Sequence, residues 1–368
     1  NQAPVFHGHG AAAWACAGII VPWTIYHAYG DTRVIADNYE AMARYLAACG
    51  KDGLGGRKAH TWGDWLAPGG RPPGELISTA YFAYTTSLMA EMAEALGKHD
   101  DAATYRKQFE DIRGYFQKTY VKPDGSIESN LQTAYCMALS FDLLTDAQRK
   151  KAAAHLVERI KAKDYHLSVG FLGIPILFPT LTDIGRSDLA YRMIQNTTYP
   201  SWGYSIEQGA TTIWERWNSY SKAKGFGDVK MNSFNHYALG ACGEWMFRSM
   251  LGIDSDGPGF KKIVMRPELP ALRSPGEGGA GGITWAKGHH DTIHGRITSD
   301  WKLDGESFLW EITIPANTTA TVYVPASDAG SVMESGQTID KADGVEFLQM
   351  ENGKAVLRVG SGRYSFKR

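Results

Sequence analysis

Long apolar runs and clustered charge of one sign are both scarce in this sequence. No apolar run reaches the roughly eighteen residues that a membrane span requires. The formal net charge is −1 and no long basic run is present, which argues against a nucleic-acid partner. The sequence therefore predicts a soluble protein with no membrane and no nucleic-acid partner, and it does not indicate a compartment.

Cysteine is also scarce, and its placement is uninformative for metal binding. The four cysteines are Cys16, Cys49, Cys136 and Cys242, and each lies among small or apolar residues. None stands in a CxxC pair or at a Cys/His ligand spacing. A chain of 368 residues can bury a large core without disulfides. We predict buried free thiols, no metal site and no cofactor.

Tryptophan, by contrast, is abundant. Several of the eleven tryptophans lie beside Gly, Asp, Pro or Glu instead of inside apolar stripes: Trp62 and Trp65 in TWGDWLAP, Trp202 in YPSWGY, Trp214 and Trp217 in TTIWERWN. Sugar sites use this combination, because the C–H face of a pyranose packs on an aromatic ring while carboxylates hold its hydroxyls. The alternative for each tryptophan is that it fills a helical core.

The first two thirds of the chain has a helical pattern. Helices are predicted at 13–29, 33–49, 75–97, 100–119, 130–143, 146–162, 183–197 and 232–250. The predicted connections 51–74, 164–182 and 198–231 are long for a helical bundle and hold most of the Trp, Asp and Glu combinations. Paired helices with such loops favour an α/α toroid whose site lies at the loop-rich end.

After Gly252 the composition changes. The sequence becomes rich in Gly, Thr and Val, with alternating runs such as FLWEITI, TATVYVP and KAVLRVG between turn residues. This pattern predicts a β-sandwich. We therefore predict a mainly α domain over residues 1–252 and a C-terminal all-β domain over residues 253–368.

Three carboxylates in aromatic or polar loops are candidates for catalysis: Asp64, Glu207 and Glu215. Inverting cleavage of a glycosidic bond needs a carboxylic acid on the leaving oxygen and a carboxylate that activates water, about 6.5–9.5 Å apart. Glu215 is the strongest candidate, because Trp214 and Trp217 flank it and could shield it. The alternative is a structural ion pair with Arg216 or a nearby lysine.

Two further polar residues have open interpretations. Asp64 could bind sugar hydroxyls or cap its own loop through local backbone bonds. His236, in NSFNHYALG, is predicted to open an apolar helix. A lone histidine on such a helix is more often a core residue than a catalytic one, although a helix start favours the rim of a site.

Several strings resemble one enzyme family. GATTIWERW at 209–217 and MNSFNHYALGACGEW at 231–245 are similar to the bacterial α-L-rhamnosidases of glycoside hydrolase family 78. So are GDWLAPGG at 63–70, ELISTAYFAY at 75–84, GFLGIP at 170–175 and TYPSWGY at 198–204. The resemblance spans residues 14–252. It implies an (α/α)6 barrel that hydrolyses terminal α-L-rhamnosyl residues of a glycoside or polysaccharide with inversion.

The resemblance also implies residue roles. Glu215 becomes the general base, and Trp14 and Trp65 pack on the rhamnose. His236 and Asp64 line the same pocket. Trp202, which lies in one of the shared strings, completes the set of predicted substrate-binding residues.

Two departures from the family pattern affect these expectations. The family places its general acid in a segment Asp-Glu-Arg-x-Gly-Trp, upstream of the region that matches Trp14, and the 368 residues contain no such string. We expect the acid, and the toroid helices that our prediction lacks, on a missing N-terminal portion of the same polypeptide. The second departure is Cys16, which stands where the family leads us to expect an acidic residue.

Two alternatives to a rhamnosidase remain at this point. The chain could be a toroid glycosidase for another sugar, which would keep the base and the tryptophans but change the hydroxyl contacts. It could also be a sugar-binding or inactive fragment that lacks the general acid.

Overall fold

The structure, a computed structural model, describes residues 11–56, 61–270 and 282–368. These residues form two units. The first takes the described residues up to Thr24 together with Thr32–Cys242, and the second combines Ile25–Asp31 with Gly243–Arg368. The predicted domain boundary at residue 252 stays a prediction.

Helices build the first unit, although the C-terminal residues of the first and the last α-helix belong to the second unit. The α-helices are α1 Ala17–Tyr29, α2 Arg33–Cys49, α3 Gly74–Ala95, α4 His99–Tyr120, α5 Gln132–Ser140, α6 Asp146–Lys161, α7 Ile174–Asp183, α8 Ser187–Ile194, α9 Trp202–Glu207 and α10 Cys242–Trp245. A short hairpin, β1 Tyr220–Ser221 and β2 Gly225–Phe226, interrupts them. In the described part of the chain, no helix is both long enough and apolar enough to cross a membrane.

Helices α3 and α4 pack against each other along their length and differ in burial. Almost every side chain of α3 between Leu76 and Ala93 is buried, as expected for a helix that is apolar all round. In α4 a single stripe that includes Ile112, Phe116 and Tyr120 is buried. Helix α3 therefore belongs to the core and α4 covers it. Helices α5 and α6 also pack against each other.

The prediction of a loop over residues 164–182 was wrong in part, because helix α7 begins at Ile174. Two prolines, Pro175 and Pro179, obscure this helix in the sequence. Pro175 lies in the first turn, where the missing N–H costs no hydrogen bond, so the helix tolerates it.

The predicted helix 232–250 was also wrong in its first part. Helical structure starts only at Ala238, with a 3₁₀ turn over Ala238–Ala241, then α10, then a π-turn over Met246–Met250. Residues 233–236 instead pair with residues 213–215 through backbone hydrogen bonds. Tertiary pairing here overrides the local helical pattern.

Two sheets build the second unit. The strands are β3 Ile253–Ser255, β4 Lys262–Met265, β5 Trp285–Thr292, β6 Gly295–Asp304, β7 Ser307–Ile314, β8 Thr319–Pro325, β9 Met333–Glu334, β10 Gln337–Thr338, β11 Val345–Glu351, β12 Lys354–Val359 and β13 Gly362–Lys367. One sheet has the order β10-β9-β13-β7-β6-β5 and the other the order β11-β12-β8-β4-β3. The predicted class, mainly α with a C-terminal all-β domain, is confirmed. Closure of an (α/α)6 toroid stays a prediction.

Two buried tryptophans anchor the six-stranded sheet. Trp301 on β6 and Trp310 on β7 are cross-strand partners with no exposed surface. The Trp301 indole N–H donates to the Met250 carbonyl at 2.7 Å, and that of Trp310 donates to Ser299 Oγ at 2.9 Å. Buried indoles need such acceptors, so these bonds fix both rings on the inner face of the sheet.

Candidate functional site

Glu215 lies in a dry, aromatic setting. Its exposed fraction is 8 %, and those of Trp214 and Trp217 are 6 % and 3 %. The carboxylate oxygen Oε2 accepts the Ser233 backbone N–H at 2.8 Å. Within the described ranges, no protein donor reaches the other oxygen, Oε1. One oxygen is therefore fixed, and the other can accept a proton from a small molecule.

The alternative role for Glu215, an ion pair with Arg216, does not fit this geometry. The Arg216 guanidinium donates to the Met231 carbonyl at 2.8 Å and lies 3.5 Å from a carboxylate oxygen of Asp228. Among the residues that the structure describes, no lysine, arginine or histidine forms a salt bridge with Glu215. The carboxylate is held by a backbone bond instead of by a cation.

Backbone pairing places His236 beside the Glu215 segment. The Glu215 N–H donates to the Ser233 carbonyl and the His236 N–H donates to the Ile213 carbonyl, each at 2.9 Å. The ring nitrogen Nδ1 of His236 accepts the Ala238 N–H at 3.2 Å, so in the neutral ring Nε2 carries the proton. His236 is half-buried and precedes the helical turn, instead of opening a helix as predicted.

Asp64 is the most heavily bonded carboxylate of this region. It has no exposed surface, and its Oδ2 accepts the Gly170 N–H at 2.7 Å and the Thr133 hydroxyl. Its Oδ1 accepts the N–H groups of Leu172 at 2.7 Å and Gly173 at 3.2 Å. Burial raises the pKa of Asp64, and these bonds act in the opposite direction.

These hydrogen bonds bear on both interpretations of Asp64. Both oxygens are engaged by protein donors, which fits a structural role and leaves the predicted contact with sugar hydroxyls without support. The donors come from residue 133 and from residues 170–173, so the role is not the local capping of its own loop that the sequence allowed.

The turn that Asp64 holds contacts two other predicted site residues. The Phe171 N–H donates to the Trp65 carbonyl at 3.0 Å, and the Phe171 ring lies 4.9 Å from the His236 ring. At Gly170, a Cβ atom would lie 2.1 Å from the Trp65 carbonyl oxygen, so only glycine fits this approach. Asp64 thus connects Trp65 and, through Phe171, His236.

Trp65 is half-buried, and its ring makes one cation–π contact and one aromatic contact. The Arg71 guanidinium carbon lies 4.6 Å from the Trp65 ring centroid, and the Trp62 ring meets it edge-on at 5.8 Å. Trp14 is also half-buried, in a turn that precedes α1. The Thr61 hydroxyl, which donates to the Ala12 carbonyl at 3.4 Å, joins the segments of Trp14 and Trp65.

Trp202 is more tightly held than the other two predicted sugar-binding tryptophans, Trp14 and Trp65. Its indole N–H donates to the Leu239 carbonyl at 2.8 Å, and its ring lies 5.2 Å from that of Trp217. The side chain therefore supports the segments that carry Glu215 and His236. Glu207, the remaining carboxylate candidate, is exposed at the end of α9.

The structure thus joins most of the predicted site residues in what we call the loop cluster, residues 12–14, 61–65, 170–173, 202, 213–217 and 233–239. Sequence reasoning missed three of its supports, Thr133, Phe171 and Ser233. The string GFLGIP contains Phe171 and was a usable signal. Ser233 likewise lies in the string MNSFNHYALGACGEW, whereas nothing in the sequence marked Thr133.

Cys16 replaces the expected acid with an uncharged group. The thiol is 3 % exposed, and its sulfur lies 3.5 Å from the Tyr45 hydroxyl oxygen. Burial raises the pKa of Cys16 to about 11, so the thiol stays protonated at neutral pH. All four cysteines are buried, and none of them forms a disulfide. Over the described ranges, no group of three or more His, Cys, Asp or Glu side chains is arranged to hold a metal ion.

Comparison with known proteins identifies the family of this chain. The family model for the bacterial alpha-L-rhamnosidase 6 hairpin glycosidase domain matches residues 2–250. The chain belongs to the bacterial α-L-rhamnosidase family. The model for the C-terminal domain of bacterial alpha-L-rhamnosidases matches residues 252–338. The resemblance drawn from the sequence strings is therefore confirmed.

Individual rhamnosidases match nearly the whole of this chain. An alpha-L-rhamnosidase of Streptomyces avermitilis is 44 % identical over 362 residues, which cover 98 % of this chain and 33 % of the relative. One of Formosa agariphila is 37 % identical over 98 % of this chain and 39 % of the relative. This chain spans about a third of the length of such curated rhamnosidases.

Solved rhamnosidase structures have a similar fold. The crystal structure of the Streptomyces avermitilis alpha-L-rhamnosidase complexed with L-rhamnose matches with a TM-score of 0.89 and 42 % identity. The match covers 98 % of this chain and 33 % of that one. An alpha-L-rhamnosidase from Aspergillus terreus matches with a TM-score of 0.84 and 28 % identity, over 98 % of this chain and 39 % of that one.

Proposed function

We propose that this chain forms the base-bearing part of an inverting α-L-rhamnosidase and that Glu215 is its general base. The observation that carries the proposal is the asymmetry of the Glu215 carboxylate. Oε2 is fixed by Ser233, while Oε1 is without a protein donor among the described residues. A carboxylate held in this way can remove a proton from water as the water attacks the anomeric carbon.

The remaining residues of the loop cluster take binding or positioning roles. Trp14 and Trp65 offer half-buried rings for the C–H face of the sugar, and His236 Nε2–H can donate to a sugar oxygen. Trp202 supports the segments that carry Glu215 and His236, and Asp64 positions Trp65 and the Phe171 turn.

The general acid is proposed to lie outside these 368 residues. Support comes from the family motif Asp-Glu-Arg-x-Gly-Trp, which this sequence lacks, and from the share of the relatives that the chain spans. A leaving group that departs as a stable anion needs no proton, whereas an alkoxide does. The chain should therefore hydrolyse 2,4-dinitrophenyl α-L-rhamnoside and leave methyl α-L-rhamnoside intact.

The test compares the 368-residue chain with two matched variants on the dinitrophenyl substrate. Glu215→Gln keeps the size of the side chain and an oxygen for the Ser233 N–H, and should lower kcat about a thousandfold. Glu207→Gln changes an exposed glutamate eight residues away and should leave kcat unchanged. NMR of the first sugar released should show the β-anomer, as inversion requires.

Three outcomes would contradict parts of this proposal. Full activity of Glu215→Gln removes Glu215 as the base, and loss in Glu207→Gln transfers the role to that residue. Hydrolysis of the methyl glycoside places an acid within these 368 residues. Binding of L-rhamnose by calorimetry with no hydrolysis of the activated substrate favours a sugar-binding module.

A further inference from the structure

The outer face of the six-stranded sheet in the second unit carries an ordered set of polar side chains. On β6, β7 and β13 the buried residues Trp301, Trp310 and Phe366 point inward, so their strand neighbours point outward. Strand register then defines three outward rows across β5, β6, β7 and β13, which we call the sheet face. The rows are Trp285, Lys302, Leu309, Lys367; then Lys287, Asp300, Glu311, Ser365; then His289, Thr298, Thr313, Arg363.

The second and third rows line a groove. Its volume is about 550 Å³, within the range of ligand sites in proteins. The lining side chains supply both donors and acceptors: Lys287, Asp300, Glu311, Thr298 and Arg363. Four strands at about 4.8 Å spacing span about 14 Å, which is enough for a short run of pyranose rings.

An exposed tryptophan stands at the edge of this groove. Trp285 is 63 % exposed, and among the described residues its indole has no ring contact and no hydrogen bond. Its strand neighbour on the same face is Lys287, which lines the groove, and its cross-strand partner is Lys302. A large exposed ring beside polar groups suits the C–H face of a sugar, since stacking buries apolar area while the hydroxyls stay bonded.

Cationic side chains outnumber anionic ones on the sheet face. The three rows hold four permanent cations, Lys287, Lys302, Arg363 and Lys367, against the two anions Asp300 and Glu311. Lys287 pairs with Asp300 at 2.6 Å. In the described part of the chain, Lys302, Arg363 and Lys367 have no side-chain hydrogen bond and no ion pair, so three cations are available to a ligand.

We propose that the sheet face binds an acidic polysaccharide, with Trp285 as the stacking platform and Arg363 as a carboxylate-binding residue at the opposite edge. Arginine suits this role because its planar donors match a carboxylate. The sheet face shares no residue with the loop cluster and has no catalytic role in this proposal. It would hold an anionic polymer whether or not Glu215 is a base.

The test is native affinity electrophoresis of the 368-residue chain in gels that contain polygalacturonate. Carboxyl-reduced polygalacturonate is the matched neutral polymer. We expect retardation by the acidic polymer only, weakened by added NaCl. Trp285→Ala and Arg363→Ala should each raise the dissociation constant at least tenfold, and Trp285→Phe should keep most of the affinity because it retains a ring.

The charge control is Arg358→Ala, which removes an exposed arginine from the other sheet and should not change the retardation. Three results would overturn the proposal: no retardation of the unaltered chain, equal retardation by both polymers, or equal losses in Arg363→Ala and Arg358→Ala. None of these readouts involves hydrolysis, so failure here leaves the role of Glu215 untouched.

Discussion

The loop cluster and the sheet face place polar side chains by different means. In the loop cluster, a buried carboxylate gathers donors from distant segments, as Asp64 does with residue 133 and residues 170–173. In the sheet face, strand register alone puts Trp285, Lys302 and Lys367 in a row. Loss of one bond should therefore distort the loop cluster, whereas the sheet face should tolerate single surface changes.

The largest effect is expected from Asp64→Ala. Removal of the carboxylate leaves the N–H groups of Gly170, Leu172 and Gly173 and the Thr133 hydroxyl buried without their acceptor. We expect the substitution to lower the unfolding free energy of the first unit by at least about 3 kcal/mol. Denaturant unfolding followed by far-UV circular dichroism measures it.

The control for Asp64 is Asp37→Ala on the exposed surface of α2, which should change the unfolding free energy by less than about 0.5 kcal/mol. Equal effects of the two substitutions would show that the Asp64 bonds do not hold the loop cluster together. The comparison between the two regions would then fail at its first point.

A smaller loss is expected from Trp301→Phe in the inner face of the six-stranded sheet. The substitution removes the bond to the Met250 carbonyl and leaves a small void, which should cost about 2 kcal/mol. Trp285→Phe, on the outer face of the same sheet, should be neutral in the same unfolding measurement. A loss as large in Trp285→Phe would mean that the sheet face is not the tolerant surface described here.

The smallest effect concerns Asp188 at the start of α8. Hydrogen bonds from Arg186, at 2.8 and 2.7 Å, hold the pKa of Asp188 below its ordinary value of 3.8. A carboxylate with a depressed pKa stabilises the folded state fully above its ordinary pKa, and this contribution is lost as the pH falls through the lower pKa of the folded state. The pair is partly exposed, so the contribution should be less than about 1 kcal/mol.

Unfolding midpoints across pH test this. Asp188→Asn should be slightly less stable than the unaltered chain at pH 7, and the difference should shrink as the pH falls below 3.8 and vanish below the depressed pKa of Asp188. Asp37→Asn should show no such convergence. A difference that persists at low pH would assign the effect to packing instead of charge.

Sequence predicted the elements that local periodicity sets, and it failed where contacts between distant residues decide the structure. Helix α2 was predicted at its observed bounds, because Ile35, Tyr39, Met42 and Leu46 repeat at helical spacing. The alternating runs likewise predicted the strands β7, β8 and β12. These elements are set by local periodicity, which a single sequence displays.

The errors lie where distant residues decide. Residues 233–236 have a helical sequence pattern but pair with residues 213–215. The donors that Asp64 accepts from lie at sequence separations from 69 to 109 residues. The aromatic setting of Glu215 was predictable from its neighbours, but the Ser233 N–H that fixes one of its oxygens was not. Separations of this kind leave no mark on local sequence.

One strand pairing in the second unit has a consequence for how the chain folds. Strand β4 pairs in parallel with β8, with Lys262 opposite Thr319, while its other neighbour β3 is antiparallel. The pairing of β4 with β8 therefore cannot form until the chain between these two residues has been synthesised. Closing such a loop costs entropy before the contact is gained. We expect the β5-β6-β7 meander to gain protection from hydrogen exchange before β4 does.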